Sequence, residues 1–521
     1  MSSFVLKIFY ECVLLGLGFV FSKHALQMFQ QNRYELYRYS KWLFNKNNLH
    51  FSYALIYCVA VLLIGTIFKN STLIIIFISI GFAIYFIYNE TKKIYIKELV
   101  LTARVKRQIV VLALLEILFF FFSTSLFPFD INGILAIYMP YLLIYLMALI
   151  TLPIEEAIKK KYENEARKII DEDKRLIKIG ITGSYGKTST KNIVYDIISE
   201  SKLTLITPAS YNTPMGITRT VREMLKPIHE VFVCEMGADK VGDITYLMDM
   251  VKPEYGVVTS IGPQHLNTFK SLDNIINEKM QEIEMLPENG VGFINIDNEY
   301  IRNYHIKNKV KVVSVGIENE EADLFAQNIK YTKDGSSFDV IIDDKKRHFT
   351  TSLLGKHNIT NILIGIAIAL EMGIDIKDII KNVKKINQIE HRLQVKKINN
   401  YTFIDDAFNS NPVGSKMAVD VLSMMPNCRV IVTPGMIDLG EKEDEINKEF
   451  GSYMADKVDY VILVGEKQTK KIHEGLIEKD FDEDNIIITN NVREAFDYVY
   501  KRFTTLDTIL LENDLPDAFN V

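Results

Sequence analysis

The sequence predicts a multi-domain protein: N-terminal transmembrane helices, then an α/β domain built around a phosphate-binding loop, then a second α/β domain. Long apolar runs dominate the chain up to Leu152. The stretch Ile179 to Asn192 reads Ile-Gly-Ile-Thr-Gly-Ser-Tyr-Gly-Lys-Thr-Ser-Thr-Lys-Asn, an apolar run leading into two spaced glycines and Lys-Thr. From Ile177 onward, apolar β-rich runs alternate with helical patterns, which argues a largely parallel sheet covered by helices. A length of 521 residues suggests roughly two to four domains. The expected boundaries are 1–152 for the membrane region, 153–175 for a linker, 176–388 for the central domain and 389–521 for the C-terminal domain.

Within the membrane region the candidate spans are Phe4–Phe21, Tyr53–Phe68, Thr72–Tyr88, Ile109–Phe127 and Ile134–Leu152. A helix that crosses a bilayer needs about 17–25 mostly apolar residues, and the last two runs fit best. The second and third form a hairpin turning at Lys69-Asn70-Ser71. The first carries Lys7 and Glu11 and equally suits a helix lying in the interface. No small-x-small cleavage site follows it, which argues against a cleaved signal peptide. Glu116 lies inside the fourth span.

Basic residues cluster after the first span (Lys23, Arg33, Arg38, Lys41, Lys46), after the third (Lys92, Lys93, Lys97, Arg104, Lys106, Arg107) and after the last (Lys159, Lys160, Lys161, Arg167, Lys168). Five spans put all three stretches on one side, which the excess of Lys and Arg makes cytoplasmic. The expected location is therefore the cell membrane, multi-pass, with the N-terminus outside and residues 153–521 in the cytoplasm. The same basic stretches also suit an anionic lipid or a lipid pyrophosphate.

A net charge of −5 carries no global signature of nucleic-acid binding. Cys12, Cys58, Cys234 and Cys428 lie far apart and form no C-x-x-C, which suits a reduced compartment without a structural zinc site.

In the central domain the run Leu176–Ile181 feeds a loop with Gly183 and Gly186, then Lys187, Thr188 and a helical stretch Thr190–Ser199. A strand, a glycine loop and a helix N-terminus together cradle phosphate. Backbone N–H groups face the anion, the Lys reaches the outer phosphates and the Thr hydroxyl suits Mg²⁺. Val231–Glu235, Tyr255–Ile261 and Gly292–Asn295 read as buried strands, with Glu235 and His265 at strand ends, where ligands bind in such sheets. Phe338–Ile342 and Arg347–Thr351 read as an antiparallel insertion. The C-terminal domain opens near His391, with strands at Tyr401–Ile404, Arg429–Thr433 and Tyr460–Val464.

The loop Thr182-Gly183-Ser184-Tyr185-Gly186-Lys187-Thr188-Ser189 resembles that of the Mur ligase family, and further motifs follow in order. They are Tyr211-Asn212-Thr213-Pro214-Met215-Gly216, Glu235-Met236-Gly237-Ala238, Ile261-Gly262-Pro263-Gln264-His265-Leu266, Lys279, Gly355-Lys356-His357-Asn358 with Asn361, His391-Arg392-Leu393, and Asp405-Asp406-Ala407-Phe408-Asn409-Ser410-Asn411-Pro412. The resemblance spans residues 175 to 470 and is strongest to the branch that adds D-alanyl-D-alanine to a muramoyl-peptide precursor.

The resemblance implies an ATP-dependent acid–amine ligase of cell-wall synthesis acting through an acyl phosphate. Gly183, Ser184, Tyr185, Gly186, Lys187, Thr188 and Ser189 would hold the phosphates, with Arg392 on the γ-phosphate. Asn358 and Asn361 would contact adenine. Asp406 would meet ribose or the incoming amine. Asn212, Thr213, Asn409 and Asn411 would meet substrate. One Mg²⁺ would be held by Thr188 and Glu235, His265 would be a ligand of a second metal, a carbamylated Lys279 would be an anionic oxygen ligand, and Lys187, Lys279, His265 and Arg392 would be the catalytic set. The partners implied are ATP, an envelope precursor carrying the acceptor carboxylate, an amino acid or dipeptide amine, and the bilayer, with no nucleic acid.

Two departures stand out. The family's N-terminal UDP-sugar-gripping domain has no counterpart, and Leu511-Glu512-Asn513-Asp514-Leu515-Pro516-Asp517 replaces a Lys-Gly-Ser-Arg-like segment. A poly-γ-glutamate synthase-like ligase and a membrane NTPase or scaffold for envelope intermediates remain as alternatives.

Overall fold

The computed structural model describes residues 3–44, 51–67, 72–92, 98–127, 129–332, 335–389, 391–407, 411–437, 439 and 442–513. The chain divides into two compact units, Met1–Lys161 and Tyr162–Val521.

The first unit is helical, with helices Ser3–Gln31, Leu36–Leu43, Phe51–Ile67, Thr72–Lys92 and Ala103–Leu126, and the start of Phe129–Glu172. Among the described residues, three helices are long and apolar enough to cross a membrane: Ile8–Gln31, Ala103–Leu126 and Ile131–Glu172. Leu55–Ile64 and Leu73–Tyr85 are shorter apolar stretches within helices Phe51–Ile67 and Thr72–Lys92, where the second and third spans are expected. The turn expected at Lys69–Ser71 lies outside the described residues. Val110, Leu114, Leu118 and Phe121 are all exposed on Ala103–Leu126, while Leu112, Glu116 and Phe120 are buried. A helix that is apolar on its outer face as well as its inner one suits lipid. Glu116 accepts a hydrogen bond from Ser22 on one oxygen, and Thr124 donates to Glu11 at 2.8 Å.

The expected linker 153–175 is helix as far as Glu172. Apolar character ends near Leu152, but Glu155 and Glu156 precede Lys159 and Lys160 by four residues, a spacing that supports continued helix.

The second unit holds two sheets. The first comprises β1 (Ile177–Thr182), β2 (Thr204–Ile206), β3 (Val231–Glu235), β4 (Tyr255–Val258), β5 (Val291–Asn295), β6 (Lys311–Gly316), β7 (Leu324–Thr332), β8 (Gly335–Ile342) and β9 (Lys345–Thr351). Their order is β2-β3-β1-β4-β5-β6-β7-β8-β9. Pairing is parallel from β2 to β7, and β7, β8 and β9 form the antiparallel extension. The strand expected to run to Ile261 stops at Val258, because the next residues turn aside to bond the phosphate loop: Thr259 Oγ1 and Ser260 Oγ both donate to Tyr185 O.

Ile179, Ile181, Val233, Val257 and Phe293 of this sheet share a core with Ile193 and Ile197 of helix Lys187–Ile198 and with Ile362 and Ile366 of helix Lys356–Glu371. Each fully buried Ile of this kind contributes about 1.5–3 kcal/mol. The core fixes the first helix so that its N-terminus opens at the carboxyl end of β1.

The second sheet comprises β10 (Gln394–Ile398), β11 (Tyr401–Asp406), β12 (Arg429–Thr433), β13 (Tyr460–Val464), β14 (Ile486–Thr489) and β15 (Thr508–Glu512). Its order is β10-β11-β15-β12-β13-β14, parallel except for the edge strand β10. The three strands expected here are β11, β12 and β13.

Candidate active site

The loop after β1 is shaped by its two glycines. Gly183 and Gly186 have φ of 149° and 82°, conformations that L side chains rarely adopt. A Cβ on Gly183 would collide with Thr259 Oγ1. Gly186 is the N-cap of helix Lys187–Ile198, so the helix begins three residues before the Thr190 expected from the sequence. Lys187 is its first residue, and its Nζ donates to Gly183 O at 2.7 Å and Ser184 O at 3.2 Å, across the mouth of the loop. Ser184 Oγ donates to Gly262 O at 3.0 Å and accepts from Gly262 N at 3.1 Å. Tyr185 OH donates to Pro263 O at 3.0 Å. These bonds fasten the phosphate loop to the Ile261–Leu266 segment. Thr188 and Ser189 lie on the first turn of the helix.

Glu235 ends β3 and is 1% exposed. Its Oε2 accepts from Lys191 Nζ at 3.1 Å and its Oε1 from Asn212 Nδ2 at 3.0 Å. Burial alone would push its carboxyl up, but Lys191, Lys187 and Asn212 outweigh that and hold it below the usual range. Lys191 was not singled out from the sequence. The available signal was its position four residues after Lys187, on the same helix face.

Lys279 and its neighbours lie on helix Leu272–Glu284. Lys279 is 1% exposed, and its Nζ has no hydrogen-bond partner among the described residues. Burial, helped by Lys187, pushes it down to about 7. Glu282 is fully buried with both oxygens unpartnered, and burial raises it to about 8. A side chain at Gly180 would occupy the place of Glu282 Oε1. Glu278 instead accepts from Gly242 N and Ile244 N at 2.8 and 2.6 Å, holding the N-terminus of helix Asp243–Val251. His265, at φ 53°, is exposed seven residues beyond the end of β4 rather than at a strand end, with Nε2 3.4 Å from Asp239 Oδ1.

Arg392 and Asp406 act on this centre electrostatically. Arg392 feels Asp406 and Glu235, and in turn depresses Lys187. Burial, followed by Arg392, takes His357 down to about 4, a neutral ring at pH 7. Burial raises Asp406 to about 6, although it accepts from Leu393 N at 3.0 Å. Burial also brings Lys187 to about 8, with Glu235 opposing and Arg392 adding to the shift. Lys187, Lys191 and Arg392 thus act on Glu235, and Lys279 feels Lys187, an accumulation of basic side chains suited to a polyanion.

Other expected residues have structural partners. Asn361 Oδ1 accepts from Thr190 at 3.0 Å, beside the phosphate loop, and its Nδ2 is buried without a partner. Asn358 Nδ2 donates to Leu354 O at 2.8 Å. Thr213 and Asn411 cap helices Pro214–Met224 and Pro412–Ser423. Asn409 lies outside the described residues.

Residues 181–369 match the Mur ligase middle domain and residues 391–512 the Mur ligase glutamate ligase domain. The chain belongs to the Mur ligase family. It is 30% identical over 292 residues to the UDP-N-acetylmuramoyl-tripeptide–D-alanyl-D-alanine ligase of Escherichia coli strain K12, covering 56% of this chain and 64% of that relative. It is 28% identical over 338 residues to the Bacillus subtilis strain 168 enzyme of the same name, covering 64% of this chain and 72% of that one. In fold it is similar to MurF from Acinetobacter baumannii, with a TM-score of 0.61 at 24% identity over 68% of this chain and 77% of that one. It is also similar to MurF from Thermotoga maritima, solved in complex with ADP, with a TM-score of 0.62 at 21% identity over 68% of this chain and 80% of that one. Both matched domains of the Mur ligase family lie within the second compact unit.

Proposed function

We propose that this chain is a membrane-anchored, ATP-dependent ligase that joins a carboxylate on a cell-envelope precursor to an amine, of the type that adds D-alanyl-D-alanine. The observation that carries the reading is the convergence of three basic side chains, Lys187, Lys191 and Arg392, on the buried carboxylate of Glu235 beside a glycine loop that opens a helix. A carboxylate is a poor electrophile until phosphorylated, and the enzyme's work is to position the groups and neutralise the moving phosphoryl charge. Lys187 and the loop amides suit the ATP phosphates, and Arg392 suits the γ-phosphate. Asp406, raised toward neutrality, suits a proton on the incoming amine.

The donor set fits Mg²⁺. Thr188 and Glu235 offer hard oxygens, and Mg²⁺ takes few protein ligands beside phosphates and water. Bound there, Mg²⁺ would supply charge neutralisation for the phosphates. Lys279 fits a carbamate: a buried amine without a partner among the described residues and depressed to about 7 supplies far more of the neutral nucleophile that carbon dioxide needs than an ordinary lysine does. His265, exposed beside Asp239, is assigned to a second metal.

The helices preceding residue 176 support a membrane location with the ligase domains in the cytoplasm, and an acceptor held at the membrane, lipid-linked for example. A tethered site meets such an acceptor at high effective concentration. The test uses the full-length protein in lipid nanodiscs with UDP-linked and lipid-linked muramoyl-tripeptides, each with D-alanyl-D-alanine. A kcat/KM about tenfold or more higher on the lipid-linked acceptor is expected. Equal or better use of the UDP-linked acceptor overturns the membrane-held acceptor.

A further inference from the structure

Lys191 stands one helical turn beyond Lys187, on the same face, and its ammonium occupies the carboxylate assigned above to the metal. Lys191 and Glu235 are each 1% exposed, and their Nζ–Oε2 distance is 3.1 Å. The same ammonium donates to Ala209 O. Ala209 has φ 43°, left-handed backbone that is unfavourable for a non-glycine residue, and the Lys191 hydrogen bond helps to hold it. Three residues on, Asn212 gives its side-chain N–H to the other oxygen of Glu235, and its carbonyl accepts from Gly237 N at 2.8 Å. Gly237 leaves no room for drift, since a Cβ there would lie 2.8 Å from Asn212 Cγ. The Ala209–Asn212 loop is thus tied to Glu235 twice, once through Lys191 and once directly.

Both oxygens of Glu235 are therefore committed to this loop. Each oxygen keeps a second lone pair beside its donor, but a divalent cation on Oε2 would lie next to the Lys191 ammonium, and the like charges repel. We propose that Lys191 is a positioning residue that fills the cation's place on Glu235, and that a divalent cation binding there displaces it and releases the Ala209–Asn212 loop in the same step. Cation binding and the setting of the Ala209–Asn212 loop become one event. This deepens the reading of Glu235 as a metal ligand and rests on it.

The test measures binding without turnover. The full-length protein in nanodiscs is titrated with Mn²⁺ alone, free Mn²⁺ is read by electron paramagnetic resonance, and amide exchange is followed over residues 208–213. Lys191→Met removes the competing charge, and Mn²⁺ should bind about tenfold tighter. Lys191→Arg keeps a cation and should stay near wild type, and Glu235→Gln should abolish this binding. Exchange over residues 208–213 should rise when wild type takes up Mn²⁺. If Lys191→Met does not fold, Lys191→Gln gives the same comparison. Unchanged or weaker Mn²⁺ binding in the neutral variants overturns the proposal while leaving Glu235 as a ligand. Binding indifferent to Glu235→Gln removes the metal assignment and the proposal together.

Discussion

Ser184 and Gly262 bond to each other twice, the serine hydroxyl donating to the glycine carbonyl at 3.0 Å and accepting from its N–H at 3.1 Å. Ser184 is only 2% exposed, so neither backbone group has water as a substitute partner. Ser184→Ala should cost about 1–3 kcal/mol of stability, the penalty of leaving buried polar groups unsatisfied. It should also raise the KM for ATP several-fold by loosening the loop. Thermal unfolding and steady-state kinetics check both, and a variant with wild-type stability would show that the pair is incidental.

The two loop glycines should respond differently. A side chain on Gly183 meets Thr259 Oγ1 and the Ser260 backbone, whereas on Gly186 the nearest atom is Asn361 Oδ1 at 3.4 Å. Gly183→Ala should abolish nucleotide binding. Gly186→Ala, strained at φ 82° but not crowded, should lose roughly 1–2 kcal/mol and retain measurable affinity. Calorimetry with a non-hydrolysable ATP analogue separates them, and equal losses would contradict the crowding argument.

The sequence carried the motif order and most strands, because a buried parallel strand writes itself as a short apolar run, as Val231–Glu235 does. It did not carry where those runs turn. Thr259 and Ser260 look like strand continuation, yet their hydroxyls leave β4 for Tyr185 O. Leu152 ends an apolar run but not its helix, since surface helix is written in i, i+4 charge pairs rather than hydropathy. The buried charges of helix Leu272–Glu284 were legible in principle. Glu278, Lys279 and Glu282 occupy the stripe set by Ile275 and Ile283, where a helix ordinarily places apolar residues. Lys191 was concealed by lying just past the recognised loop, and only the fold brings β3 and Glu235 to it.

Glu282 gives a pH prediction. Burial raises its carboxyl from 4.5 to about 8, so the folded chain holds a proton that the unfolded chain has lost. Its contribution to stability is fully present below about 4.5 and is lost as pH rises through about 8. Glu282→Gln removes this dependence. The melting temperature of the variant relative to wild type should therefore climb between pH 5 and 8 and then level off. A gap that stays constant with pH would mean that Glu282 is not held protonated.

Lys279 should be carbamylated in the active protein. Lys279→Ala should lose activity about a hundredfold or more, as when a group stabilising transition-state charge is removed, and small carboxylates in the buffer should restore part of it. Carbon-13 NMR with labelled carbon dioxide should show a carbamate signal in wild type that the variant lacks. A fully active alanine variant without added carboxylate would contradict this.

The central claim is that this site spends ATP to make an amide. The direct measurement follows ADP and phosphate release and amide product together, in full-length protein supplied with ATP, Mg²⁺, a muramoyl-tripeptide acceptor and D-alanyl-D-alanine. Mass spectrometry counts the product, and Lys187→Ala serves as the control. One ADP per amide, dependence on both substrates and loss of both signals in Lys187→Ala are the predicted result. ATP hydrolysis that proceeds without either substrate and yields no amide would contradict the account.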